Sequence, residues 1–123
     1  MGILNILLMF FFIRNMYLEG DIAGSVGKAF RNTLQECFGR TIIEALNFQF
    51  KRETGLDMFA ALWEDPHIFY EELRNILGDG TDVILKMFAE KIGENFEKIV
   101  KLMESRNEES KGEIRGILKQ TFK

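Results

Sequence analysis

Apolar residues along this chain recur with the spacing of an α-helix. From Val26 to Phe38 they return every third or fourth position, which puts them on one face for more than three turns. No segment alternates with period two, and the sequence has neither runs of β-branched residues nor hairpin dipeptides. The pattern predicts an all-α fold, a compact bundle of about five to six helices.

The most plainly bounded helix lies between Asp65-Pro66 and Gly78. Asp65 is expected to be its N-cap, and Pro66 to occupy the first helical position, where an N–H would have no helical acceptor. Gly78 suits the left-handed conformation that often follows a helix. These three residues are therefore assigned structural roles, and Glu71 and Glu72 between them are expected to be solvated surface.

Two threonines are expected to cap further helices. Thr41, with Glu44 three residues later, fits a capping box, and Gly39 is expected to end the preceding helix. Thr81 follows a tight turn and is expected to cap the longest helix, near residues 81–104. Gly93 lies inside that predicted helix, where it costs about 1 kcal/mol relative to alanine and suggests a bend or a close neighbour.

Three parts are predicted along the chain: an apolar helix over residues 1–18, a helical domain over 24–104, and a charged linker with an amphipathic tail helix over 105–123. A loose joint between the first two parts is predicted from Gly20, Gly24 and Gly27. The chain has twelve Phe against one Trp and two Tyr, which favours a Phe-rich core. The expected core residues are Phe30, Leu34, Phe38, Leu46, Phe69, Leu73, Leu77, Phe88 and Phe96.

Residues 3–13 form the most apolar run, and Arg14 ends it. A membrane-spanning helix needs about 20 residues, so the run is short for a span. No positive charge precedes it, which disfavours a signal peptide. Three interpretations stay open: a core or partner-binding helix, a short anchor at a membrane surface, or a stretch upstream of a true start at Met16 rather than Met1.

Charge is distributed unevenly along the chain. Residues 57–95 hold three basic and nine acidic residues, a net −6, within a chain whose total is −3. Phosphate contacts require Lys and Arg, so the acidic middle argues against nucleic-acid binding there. DNA binding remains only as a second alternative, through Arg40, Lys51 and Arg52 in and beside the helix that Thr41 is expected to cap.

Few residues are available for chemistry. Cys37 is the only cysteine, which fits a reducing, cytoplasmic compartment, and His67 is the only histidine. Nothing in the sequence brings these two together as nucleophile and base, and a zinc site needs several such ligands. The acidic residues in and just before the helix between Asp65 and Gly78 are expected to solvate its surface. No catalytic residue, cofactor or metal site is therefore predicted.

A longer pattern suggests a family. It reads Asp65-Pro66-x-x-Phe69-x-x-x-Leu73-x-x-x-Leu77-Gly78-x-Gly80, followed by Ile84-Leu85, inside the stretch from Phe30 to about Phe96. In this stretch, about half the chain, the sequence resembles small archaeal all-helical domains of unknown function, the Nitrosopumilus output domains, some of which accompany signalling modules. The resemblance implies a signalling-output role and brings no catalytic residues.

Two functions from different classes follow from these observations. The leading hypothesis is a non-enzymatic interaction or signalling-output module that binds a protein partner or a second copy through its surplus apolar faces. The alternative is a small protein held at a membrane by residues 3–13, with its acidic helical domain in the cytosol.

Overall fold

The computed structural model describes residues 2–122, apart from the side chains of residue 12 and residues 14–19. This range contains no strand, which confirms the all-α prediction, and seven helices where five to six were expected. They are α1 (Gly2–Phe38), α2 (Arg40–Thr54), α3 (Met58–Glu64), α4 (Pro66–Leu77), α5 (Gly80–Ile92), α6 (Phe96–Glu104) and α7 (Glu108–Thr121). Of the two alternative starts, Met1 and the side chain of Met16 lie outside the described residues.

Helix α1 runs without a break through the three glycines that were expected to form a joint. Interior glycines cost about 1 kcal/mol each, but the helical hydrogen bonds continue past them. One of them has a packing role, because a Cβ on Gly27 would lie only 3.2 Å from the Cβ of Phe59. Glycine here lets α1 approach α3 closely, and the predicted apolar helix is the first half of a longer one.

Asp65 and Pro66 occupy the expected positions at the start of α4. The Asp65 carboxylate accepts a hydrogen bond from the Ile68 N–H at 3.2 Å, and Pro66 is the first helical residue. Gly78 follows α4 with φ +60° and ψ −132°. This positive φ favours glycine, but its ψ differs from that of the left-handed helical conformation predicted for it.

The capping roles predicted for the two threonines are wrong. Helix α2 begins at Arg40, one residue before the exposed Thr41, because Gly39 at φ +80° already turns the chain into the helix. Thr81 lies fully buried in the first turn of α5. Its N–H donates to the Gly78 carbonyl at 3.2 Å, so a backbone turn starts α5. The Thr81 hydroxyl has no hydrogen-bond partner among the described residues.

The long helix predicted near 81–104 is two helices. Gly93 has φ +71° and ends α5, its N–H donating back to the carbonyls of Ala89 and Glu90. Two residues later the Asn95 side chain accepts a hydrogen bond from the Lys98 N–H at 3.0 Å and starts α6. The break lets α6 change direction and bury Ile99 and Met103.

A cluster of phenylalanine rings forms the centre of the core. The Phe30 ring meets Phe69 at 5.0 Å and Phe88 at 5.5 Å, both edge to face, and lies 6.3 Å from Phe59. Edge-to-face pairs place the positive ring edge against the negative ring face, which stabilises them beyond their buried area. Because these four rings come from α1, α3, α4 and α5, one cluster joins four helices.

Most of the expected core residues are inside the molecule, with three exceptions. Phe38 is 36 % exposed because it is the last residue of α1, where the chain turns away from the body at Gly39. Leu77 and Phe96 are half-buried at the edge of the core. The buried members are Phe30, Leu34, Leu46, Phe69, Leu73 and Phe88.

The tail helix α7 packs against the body of the protein. Ile114 and Leu118 are buried, and the Arg115 Nε donates to the backbone carbonyl of Trp63 at 3.0 Å. The Arg115 guanidinium also lies 5.2 Å from the centre of the Trp63 ring. The tail is therefore part of the folded core, and its apolar face is already occupied.

Candidate functional site

The first half of α1 exposes a large apolar surface, which we call the apolar segment (residues 3–13). Nine of the thirteen exposed large apolar side chains among the described residues lie in this segment. Their exposed fractions run from 44 % at Ile13 to 77 % at Ile3. At typical side-chain areas the nine expose on the order of 1,000 Å², against about 300–600 Å² for the largest apolar patch of an ordinary monomer.

Apolar side chains cover most of the circumference of the apolar segment, apart from the side on which Asn5 lies. At 100° per residue, its exposed residues fall into three rows spaced around the helix axis. The rows are Ile3, Leu7 and Phe10; Leu4, Leu8 and Phe11; and Ile6, Met9 and Ile13. Asn5 is the only polar residue in the segment, and the segment has no charge. A helix that is apolar over most of its circumference is ordinarily surrounded by apolar material.

The second half of α1 fixes the direction in which the apolar segment points. Val26, Phe30 and Leu34 are fully buried in the body of the protein. From Gly2 onward, the first described side chain that is even half-buried is Ile22. The described side chains of residues 2–13, about 18 Å of helix, therefore lie beyond the packed core.

Two ion pairs also join α1 to other helices. Arg31 meets Glu44 of α2 at 3.2 Å, and Glu36 meets Lys91 of α5 at 2.7 Å. Pairs this exposed contribute little to stability, so the buried side chains supply most of the attachment. The Arg31 guanidinium also lies 4.3 Å from the centre of the Phe59 ring, which places its charge over an aromatic face.

A shallow groove of about 400 Å³ lies between the second half of α1 and α3. Ala23, Gly24 and Gly27 line it on α1, and Lys28 and Asp57 add charges of opposite sign. Two of its charged side chains already have partners: Arg31 pairs with Glu44, and Asp57 accepts a hydrogen bond from Asn47. The groove follows from the close packing of α1 against α3 at Gly27.

Asp57 belongs to a polar node between α2 and α3. Its carboxylate accepts hydrogen bonds from the backbone N–H groups of Phe59 and Ala60, both at 3.1 Å, and from the Asn47 side chain at 2.9 Å. Burial by itself raises the pKa of Asp57, but the hydrogen bond from Asn47 and those from the two backbone amides outweigh it. The nearby charge of Lys51 adds to them, and the pKa lies below its ordinary value.

A second node joins α4 to α5. The Tyr70 hydroxyl donates to Asp82 at 3.2 Å, and Arg74 donates both to that hydroxyl and to Asp82 at 3.1 Å. Burial raises the pKa of Tyr70, and the negative charge of Asp82 adds to the effect against the opposing influence of Arg74. This arrangement ties two helices together and leaves the tyrosine protonated near neutral pH.

Cys37 and His67, the residues considered as nucleophile and base, have separate partners. The Cys37 thiol contacts the Met87 sulfur at 3.3 Å. The His67 Nδ1 lies 3.1 Å from the Met103 carbonyl oxygen, and its Nε2 lies 3.0 Å from the Arg106 Nε. Among the described residues, no group of three or more His, Cys, Asp or Glu side chains is arranged to hold a metal ion.

The acidic residues near the start of α4 also have local roles. Asp65 caps the helix, Glu71 lies 3.0 Å from the His67 Nε2, and Glu72 accepts from Asn75 at 3.4 Å. Glu71 and Glu72 line an open groove of about 350 Å³, to which the apolar Ile68 also contributes. Glu71 is exposed, as expected from its position on the helix, whereas Glu72 is half-buried.

The sequence left three interpretations of residues 3–13 open and did not identify the polar nodes around Asp57 and Tyr70. The spacing of Tyr70 and Arg74, four residues apart on a helix, was an available signal for one contact. No sequence signal pointed to the contacts of Asp82 and Asn47, because their partners lie in other parts of the chain.

Comparison of the chain with models of protein families, with curated proteins and with solved structures finds no match. Within the part of the chain that the structure describes, no helix has the length and apolar character needed to cross a membrane.

Proposed function

We propose that this protein is a non-enzymatic interaction module, a small helical body that docks through the apolar segment of α1. One observation carries the proposal: nine large apolar side chains exposed on a single projecting helix. Their area, on the order of 1,000 Å², reaches the roughly 800 Å² that each partner contributes to a standard interface. Burying half of it releases about 10 kcal/mol before the costs of association.

The polar groups of the body support binding rather than catalysis. Asp57, Asp65 and Asn95 cap helices, and Tyr70 and Arg74 belong to a structural node. An active site requires polar groups that converge on a cavity and remain available to a substrate. The resemblance to archaeal output domains is consistent with a binding role and extends the proposal to the output side of a signalling system.

Matched substitutions of exposed phenylalanines test the docking function. Phe10 in the apolar segment is 67 % exposed and Phe48 on α2 is 69 % exposed, so glutamate at either position leaves the core intact. After centrifugation of the lysate of expressing cells, we expect part of the wild-type chain in the particulate fraction. In gel filtration of the supernatant, we expect the remainder in assemblies larger than a monomer. Phe10→Glu should shift it to the monomer position, and Phe48→Glu should leave it unchanged.

A wild-type chain that migrates as a monomer, both in lysate and after purification, would contradict the docking function. Equal effects of Phe10→Glu and Phe48→Glu would remove the apolar segment as the docking element, because both substitutions add one charge to an exposed aromatic position.

A further inference from the structure

The shape of the apolar segment limits what can cover it. A protein surface that packs on one side of a helix leaves the opposite side in water, yet here all three rows of apolar side chains are exposed. Covering every row requires either several protein helices at once or a fluid apolar medium that closes around a single helix. Lipid acyl chains meet this requirement, because a single bilayer can surround the helix on several sides.

The apolar segment is too short to cross a bilayer but long enough to lie along its surface. Its eleven residues form about 16 Å of helix, roughly half of the 30 Å hydrocarbon core. Beyond it, Arg14 and Asn15 follow in the sequence, and later positions such as Asp21 and Lys28 are exposed. The uncharged part of the helix therefore ends at Ile13, and charged positions begin at Arg14.

The orientation of the helix places the body of the protein on the water side. At 100° per residue, Asn5 and Phe30 fall within about 20° of each other around α1. Phe30 points into the packed body, so the single polar side chain of the segment faces the same side as that body. The row of Ile3, Leu7 and Phe10 lies opposite and is free to enter an apolar layer.

The free amides at the start of α1 favour a shallow angle of entry. The first four N–H groups of a helix have no helical acceptors, and burying them deep in hydrocarbon is costly. A helix lying near the surface keeps them within reach of headgroup oxygens.

We infer that the apolar segment inserts into one leaflet of a lipid bilayer, with the Ile3, Leu7 and Phe10 row deepest and the helical body in water. This step rests on the proposed docking function and names its partner. Because the segment has no charged residue, insertion depends on apolar contact and not on anionic headgroups.

Vesicle flotation with the full chain tests the inference. We expect the wild-type chain to float with phosphatidylcholine vesicles, equally well when phosphatidylglycerol is included, and in high salt as in low salt. Phe10→Glu should lower the ratio of bound to free protein about tenfold or more, because a charge is strongly disfavoured in hydrocarbon. Phe48→Glu is the matched control and should float like the wild type.

A further variant tests the proposed orientation. Asn5→Leu changes a side chain on the water side, where leucine stays outside the apolar layer, and should change the bound fraction by less than about twofold; a rise of tenfold would contradict the orientation. Circular dichroism should give the same helical content in solution for every variant, since all the changed side chains lie outside the core.

Several outcomes would overturn lipid insertion. Flotation that requires phosphatidylglycerol, or that high salt abolishes, would identify headgroup electrostatics as the cause of binding. Equal flotation of Phe10→Glu and wild type would place the contact elsewhere. If the wild type does not float but forms assemblies that Phe10→Glu dissolves, the docking function stands with a protein as occupant. If it neither floats nor assembles, both proposals fail.

Discussion

Single side chains decide several helix ends in this protein. Asp57, Asp65, Asn95 and Asn107 each accept a hydrogen bond from a backbone N–H two or three residues later. Such caps satisfy amides that a helix leaves without acceptors, and their short polar side chains are readable from sequence. Thr41 and Thr81 have the same chemistry but do not cap, since glycine-containing turns start those helices one residue earlier.

The strongest single-residue prediction concerns Asp57. At pH 7, Asp57→Ala should lower the free energy of unfolding by about 1–2 kcal/mol, because the cap of α3 and the Asn47 contact are both lost. The folded-state pKa of Asp57 lies below the ordinary value of 3.8, so this contribution is fully present above pH 4. It declines as the pH falls through the lowered pKa. Urea unfolding at several pH values measures the difference.

Asp21→Ala is the control, because Asp21 is an exposed residue of α1 that caps no helix. It should change stability by less than about 0.5 kcal/mol at every pH. An Asp57→Ala penalty that persists unchanged well below pH 3 would show that the ionised carboxylate is not its source.

At the scale of elements, glycines have opposite consequences in different helices. Gly20 and Gly24 lie inside α1, while Gly93 separates α5 from α6. Local sequence does not distinguish these cases, since glycine tolerates both conformations. At Gly93 the break lets α6 turn and bury Ile99 and Met103. In α1 the continuous helix keeps Val26 and Phe30 on one buried face.

Alanine substitutions separate the two kinds of glycine. Gly93→Ala should destabilise the protein by about 1–2 kcal/mol, because φ at this position is +71° and alanine is strained there. Gly116→Ala in α7 should instead stabilise it by about 1 kcal/mol, since that glycine is inside a helix with open space around it. Urea unfolding followed by far-UV circular dichroism measures both changes. If Gly93→Ala were also stabilising, α5 and α6 would have to form one helix in solution.

At the scale of the whole molecule, the phenylalanine cluster couples the helices. Phe30 touches rings from α3, α4 and α5, so loss of its packing affects all of them together. None of the described side chains of residues 3–13 belongs to this cluster. Stability and the proposed docking function therefore reside in different parts of the same helix.

Phe30→Leu tests this coupling. It should lower the free energy of unfolding by about 1–3 kcal/mol, because smaller side chains leave the neighbouring rings without contacts. Thermal unfolding followed by Trp63 fluorescence and by far-UV circular dichroism should shift by the same amount, with coincident transitions. Phe48→Leu, at a position 69 % exposed, should have almost no effect. Transitions that separate in the Phe30→Leu variant would show that the helices do not unfold as one unit.

The sequence by itself determined the all-α class, the boundaries at Asp65 and Pro66, and the greater part of the Phe-rich core. These features depend on helical period and on hydrogen bonds between neighbours in the chain, which are local. Only the tertiary structure decided that Gly93 breaks a helix, that Thr81 is buried, and that Asp82 meets Tyr70. It also decided that residues 3–13 project from the body. Whether an apolar helix is covered depends on whether other surfaces of the folded chain are free to pack against it.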